Sequence, residues 1–360
     1  MEILNKTKTV DSLDDAIDRA KWMRDRCTDI ETSTKKLEFQ CNGGIYVSCK
    51  KGIKEPMKLS DTAASQVCHM LTVPNQWVRV KQQMEDPEDL AASLNRHSRK
   101  LPSKGILVRK WDGKDPFIRA VFPDNYAILD CWEALKAIRS KMGKKIKEWP
   151  ILTFSGFKLR VLGLIGQPKI KESYGTEDHK IIRGILPGIH IFVSEDGSYP
   201  MGCEVGLYRA LCSNTMVLAD DRFRPFRLKR REKEEGGLID RFKGALDETN
   251  ESLIPAWKKT VGRIVDLAHI ETGQNKREAL KSAAKVTGIP RLAFDPVSMA
   301  WDTDDLFGLW NGLTRYGSAL TTEGNFHRGV QLQKSAGALA RLSPALQKEI
   351  QVASNRKDKD

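Results

Sequence analysis

The chain has 360 residues, of which 40% are apolar, and sets 60 Lys plus Arg against 47 Asp plus Glu for a net charge of +13. That length suits about two domains, or one large domain with appendages, with a core that needs no disulfide or structural metal, and the composition is not that of a disordered chain. The charge makes a polyanion the first partner to consider, nucleic acid before a membrane surface.

Leu13, Ala16, Ala20 and Met23 recur at helical spacing behind a cap at Asp11 or Ser12, which predicts a helix over 11–30. Over 37–49, Asn42-Gly43-Gly44 separates Leu37, Phe39 and Cys41 from Ile45-Tyr46-Val47, the pattern of a hairpin whose turn needs positive φ. Ser60 and Asp61 open a helix that Pro74 stops, and Asp86-Pro87-Glu88 opens another over 86–98. The clearest hairpin is 105–122, turning at Asp112-Gly113-Lys114-Asp115 and setting Arg109 and Arg119 in paired strands. Ile128, Trp132, Leu135 and Ile138 predict a helix over 124–141. Strands are expected within 151–166, then as a pair, Ile189–Val193 and Tyr199–Val205, joined through Glu195-Asp196-Gly197-Ser198, with a short helix over Gly206–Ser213.

Beyond about residue 236 the strand pattern gives way to a helical stripe of Ile239, Phe242, Leu246, Leu253, Trp257, Ile264 and Ala268. Pro255 interrupts it, so one kinked helix or two are expected, followed by helices over 274–287, 303–320 and 325–342. The linker candidate is KRREKEEGG at 229–237. The fold class expected is α+β: a curved, mainly antiparallel sheet over 105–230 with packed helices, followed by a helical C-terminal region. The division is an N-terminal α+β segment 1–104, a sheet-rich core 105–235, a helical region 236–354 and a frayed tail 355–360.

Several chemistries lack their residues. The nearest approach to a phosphate-binding loop, Met142-Gly143-Lys144-Lys145, has neither the first glycine nor the Ser/Thr. Cys68-His69 and the Cys41/Cys49 pair lack zinc-site spacing, and the six histidines are isolated from one another. Asp302, Asp304 and Asp305 precede an apolar-periodic stretch and read as the first turn of a helix before they read as a magnesium site. No cofactor and no metal are expected. No stretch approaches the roughly 18 apolar residues of a membrane-spanning helix, the first residues have no apolar signal region, and the seven scattered cysteines suit a reducing cytoplasm.

The most informative local sequence is RFRPFRLKRR at 222–231. A bend at Pro225 puts Arg222, Arg224, Arg227, Lys229 and Arg231 on one face and Phe223, Phe226 and Leu228 on the other. This is either a cationic ridge for phosphates or a charged edge strand that resists aggregation. A second run, Arg139, Lys141, Lys144, Lys145 and Lys147, leads into Trp149 and equally describes an exposed helix end. Trp111 and Trp149, beside turns and cations, are candidates for base stacking. The nucleic-acid-binding candidates are therefore Arg222, Arg224, Arg227, Lys229, Arg231, Arg109, Arg119, Lys144, Lys145 and Trp149.

Several segments resemble the phage- and plasmid-encoded family called domain of unknown function 932. Leu107-Val108-Arg109, Arg119-Ala120-Val121 and Pro123-Asp124-Asn125-Tyr126 are similar to its strand, strand and SDRY sequence, with Pro123 and Asn125 replacing Ser and Arg. Gly206–Asn214 and Leu309–Tyr316 resemble two later segments, although Thr215 replaces a glycine. The matches span about 105–320. The resemblance implies an α+β fold, a mobile-element origin, and by analogy a kinship with single-strand annealing proteins, which self-associate. The function expected is single-stranded DNA binding, with or without annealing, in phage or plasmid replication and recombination, by a homo-oligomer and not an enzyme. The alternatives are a metal-dependent nuclease using Asp220, Asp221 or the Asp302–Asp305 carboxylates, and a protein-interaction or structural factor using the helical C-terminal third.

Overall fold

The computed structural model describes residues 8–83, 87–166, 181–182, 184–198, 201–209, 214–217, 237–323 and 325–355. The N-terminal third comprises strand β1 (Lys8–Thr9), helix α1 (Leu13–Arg24), strands β2 (Cys27–Ser33), β3 (Glu38–Cys41), β4 (Ile45–Cys49) and β5 (Ile53–Lys58), then helices α2 (Asp61–Met70), α3 (Asn75–Gln83) and α4 (Pro87–Lys100). Strands β6 (Gly105–Trp111) and β7 (Phe117–Pro123), helix α5 (Cys131–Met142) and strands β8 (Glu148–Ser155), β9 (Lys158–Leu164), β10 (Ile185–Ser194), β11 (Gly202–Arg209) and β12 (Asn214–Val217) follow. The described residues from 237 onward are mainly helical: α6 (Gly237–Ala268), α7 (Lys276–Thr287), α8 (Phe294–Ala300), α9 (Leu306–Thr322), α10 (Phe326–Leu339) and α11 (Pro344–Ser354).

The class is α+β, with antiparallel sheets and a helical C-terminal region. Among the described residues three sheets stand where a single one was expected over 105–230: β1-β8-β9-β10-β11-β12, β2-β6-β7 and β3-β4-β5. The hairpin 105–123 leaves the large sheet because β6 pairs with β2, while the free edge of β8 is taken by β1. Residues 27–33, expected at the end of a long first helix, are thus a strand. Asp25 and Arg26 close the helix with amides bonded to Lys21 O and Met23 O. Residues 206–209, expected to be helical, extend β11 in register with Ile185–Gly188 of β10. Helix α5 starts at Cys131 rather than near 124, because Pro123–Tyr126 closes a turn with the Tyr126 amide on Pro123 O.

Two cores result. The larger gathers α1, α5, the odd-numbered residues Ile185, Ile189, Ile191 and Val193 of β10, and the C-terminal helices. Trp257 of α6 donates its Nε1 to Ile185 O at 3.0 Å, fixing the long helix on the sheet. The smaller core joins the β3-β4-β5 sheet and α2–α4 to Ile106, Val108, Ile118 and Val121 of β6 and β7. A division at 104/105 therefore cuts through a core. Ser12, Ser60 and Asp305 cap α1, α2 and α9 by accepting the amides of Asp15, Ala63 and Gly308. Among the described residues no helix is long and apolar enough to cross a membrane.

Candidate nucleic-acid interface

Helix α5 runs into the turn Lys144-Lys145-Ile146-Lys147, which feeds β8. The Ile146 side chain is buried and its amide returns to Met142 O at 3.0 Å, while the Lys147 amide bonds Leu164 O at 2.8 Å. These anchors leave Lys144, Lys145 and Lys147 exposed, and none has an ion pair among the described residues. The two cations before them are engaged: Arg139 with Asp14 at 2.8 Å and Lys141 with Asp247 at 2.6 Å. Trp149 is half-buried against the larger core, and its ring lies on Gly163, where a Cβ would come within 2.8 Å of the indole. Bare glycine on β9 leaves the room the ring occupies. The turn thus places three free ammonium groups next to one partly exposed indole, a combination that can neutralise phosphates and offer a stacking surface.

Arg109 and Arg119 are corrected. Both are buried, at 1% and 0% exposure, inside an ionic network. Arg109 donates from Nε and Nη2 to the Asp29 carboxylate at 2.7 and 3.1 Å, and its Nη1 meets Asp130 at 2.7 Å. Burial opposes its charge, yet Asp130 and Asp29 raise its pKa above the ordinary guanidinium value. Arg119 meets Glu195 at 2.5 Å and lies over the Phe157 ring at 4.4 Å. A buried guanidinium already paired with carboxylates cannot reach a nucleic-acid backbone without leaving a charge uncompensated. Trp111 is likewise corrected, being a core residue packed against Phe157 and Trp22.

Arg222, Arg224, Arg227, Lys229 and Arg231 lie outside the described residues, as do Asp220 and Asp221. The Asp302–Asp305 cluster sits at a helix start: Asp305 caps α9, and Asp302 accepts Asn311 Nδ2 at 3.0 Å. Among the described residues no three His, Cys, Asp or Glu side chains converge as a metal site. The six described cysteines are free thiols, and burial pushes those of Cys27 and Cys203 up to about 12.

One constellation escaped the sequence reading. On the sheet face opposite Ile189 and Ile191, His190 stands directly across from Glu204 and accepts Arg160 Nε at 2.7 Å on its Nε2. Lys334 of α10 reaches Glu204 at 3.1 Å. Burial first, then Arg160 and Lys334, hold the imidazole pKa well below its ordinary value, so it is neutral. The signal was a single polar residue between Ile189 and Ile191; its partners depend on strand register. No family model matches the chain, and no curated protein or solved structure matches it.

Proposed function

We propose that the protein binds single-stranded DNA through its phosphate backbone and serves strand annealing in the replication and recombination of a phage or plasmid, in a cytoplasmic setting and as a binding protein rather than an enzyme. The observation that carries this reading is the Lys144–Lys147 turn, three exposed lysines free of ion pairs beside a half-buried tryptophan. The net charge of +13 and the basic sequence at 222–231 support it. Lysines on a turn held by Ile146 neutralise phosphates without choosing a base, which suits a protein that must leave bases open for pairing.

The test is a titration with single-stranded DNA, duplex DNA and RNA at two salt concentrations. If the five cations of 222–231 meet phosphates, log K falls against log salt with a slope near −3.5 from that segment alone. Replacing Lys144, Lys145 and Lys147 together with alanine should lower affinity and reduce the magnitude of the slope by about 2. A triple variant with the parent's affinity and slope removes the turn from the interface. Tighter binding to RNA or duplex would overturn the choice of single-stranded DNA.

A further inference from the structure

A groove of about 1240 Å³ lies between α7 and α11, beside the turn that leads into α8. Five cations line it from three elements: Arg277, Lys281 and Lys285 of α7, Arg291 of the turn and Lys348 of α11. All five are exposed. Lys281 pairs with Glu278, and the other four have no ion pair among the described residues. Arg277 stands in the first turn of α7, where the helix dipole disfavours a cation, so the helix itself gives no reason for it. Glu278, Asp295 and Glu349 also line the groove. Glu278 and Asp295 occupy the first turns of α7 and α8, where a carboxylate stabilises the helix that carries it. Five cations against three acids leave the lining positive.

We infer that this groove binds the phosphate backbone of a nucleic-acid strand, as a second site apart from the Lys144–Lys147 turn. The inference rests on the reading of the protein as a single-stranded DNA binder and adds a site to it. Helix α7 packs on α8, α10 and α11, whereas α5, which leads into the turn, packs on α1, α6 and β10, so groove and turn belong to separate parts of the fold.

The spacing of the cations fits a strand. Arg277, Lys281 and Lys285 repeat every four residues, so they form one row along α7 with neighbours about 6 Å apart. A stacked strand places a phosphate roughly every 3.4 Å along its axis, so each member of the row meets about every second phosphate. Arg291 and Lys348 approach from the turn and from α11, which places cations on more than one side of the backbone. Among the described lining residues Phe294 is the one aromatic, and it is buried, so no ring is offered for stacking a base. The groove therefore holds phosphates and reads no sequence, and its affinity comes from counterion release.

The test is fluorescence anisotropy of a labelled oligothymidylate titrated with full-length protein at several salt concentrations. An Arg277→Ala/Lys285→Ala/Arg291→Ala variant removes three phosphate contacts, so it should bind more weakly and its salt slope should shrink in magnitude by about 2. A Lys50→Ala/Lys51→Ala/Lys54→Ala control, at and beside the turn between β4 and β5, loses the same charge and should keep the parent's slope. An Asp295→Asn/Glu349→Gln variant should bind the strand more tightly than the parent. All eight positions are exposed, so the three variants should retain the parent's circular dichroism. A groove variant with the parent's slope, a control that loses as much slope, or an acid-neutralised variant that binds no tighter would each overturn the inference. So would polyglutamate that displaces the strand as well as a nucleic acid of equal charge does, since the groove would then take an acidic peptide. A parent that binds no strand overturns the single-stranded DNA reading itself, whereas a parent that binds with an unchanged groove variant overturns the groove alone.

Discussion

At the residue scale, His190 is where chemistry departs most from the sequence pattern. Its folded pKa lies well below the ordinary 6.5 because burial and the neighbouring Arg160 and Lys334 disfavour the imidazolium. The unfolded chain takes up a proton near pH 6.5 that the folded chain refuses, so stability is full above that pH and falls as acid is added below it. The loss from this one group is about 1.4 kcal/mol per pH unit until the folded pKa is reached. His190→Gln keeps an acceptor for Arg160 and removes the titration. Denaturant unfolding at pH 7 and pH 5.5 should show the parent losing about 1 kcal/mol more than the variant. Equal losses would refute the assignment. Residue roles set by nearest neighbours in sequence were legible: Ser12 and Ser60 cap helices because the amide each accepts lies three residues on. The roles of Arg109 and Arg119 were not, because their partners Asp29 and Glu195 lie 80 and 76 residues away.

At the scale of the element, the hairpins and long helices follow local pattern, and the departures share a cause. Residues 27–33 carry only one buried apolar side chain, Ile30, so the segment has no strong period of its own and becomes a strand by pairing with β6. Helices α3, α8 and α11 went unread because each is short and adds few apolar positions. Pro255 left open one helix or two, and α6 is continuous over 32 residues. Ser252 Oγ bonds Glu248 O at 2.8 Å and Thr249 O at 3.0 Å in the turn before the proline. Pro255 is exposed, so its ring stabilises no core. Pro255→Ala restores an amide and should raise unfolding free energy by about 1–3 kcal/mol. A lower melting temperature would show instead that the packing of α6 on the sheet depends on the proline.

At the scale of the whole molecule, Glu195 ties the two cores together. It accepts the Cys131 amide at 2.7 Å, so it serves the start of α5 in the larger core, and its other oxygen holds Arg119 on β7 beside the smaller one. Gln66 of α2 reinforces the join by donating to Asp196 O and accepting the Val121 amide, each at 2.8 Å. Glu195→Ala would strand the buried Arg119 charge and an α5 amide, and should cost about 3–5 kcal/mol. Arg139→Ala breaks only the solvent-exposed pair with Asp14 and should cost under about 1 kcal/mol. Thermal unfolding of the two variants reads the contrast, and similar losses would mean that Glu195 is not the hub.

The sequence by itself determined what depends on short range and on totals: the net charge, the hairpin turns at Gly43 and Gly197 with their positive φ, the starts of α1, α2 and α4, and the change from strands to helices after the large sheet. Each is set within a few residues or by composition, where capping, turn conformation and hydrophobic period act. Tertiary structure alone decided that three sheets form, and that two of the predicted contact arginines are buried ion pairs. It alone decided that Lys144, Lys145 and Lys147 stand free beside Trp149 and that His190 meets Arg160 across from Glu204. Those outcomes depend on which strand pairs with which. Pairing is settled by burying the apolar face of every strand at once, a condition on the whole chain that no local window contains.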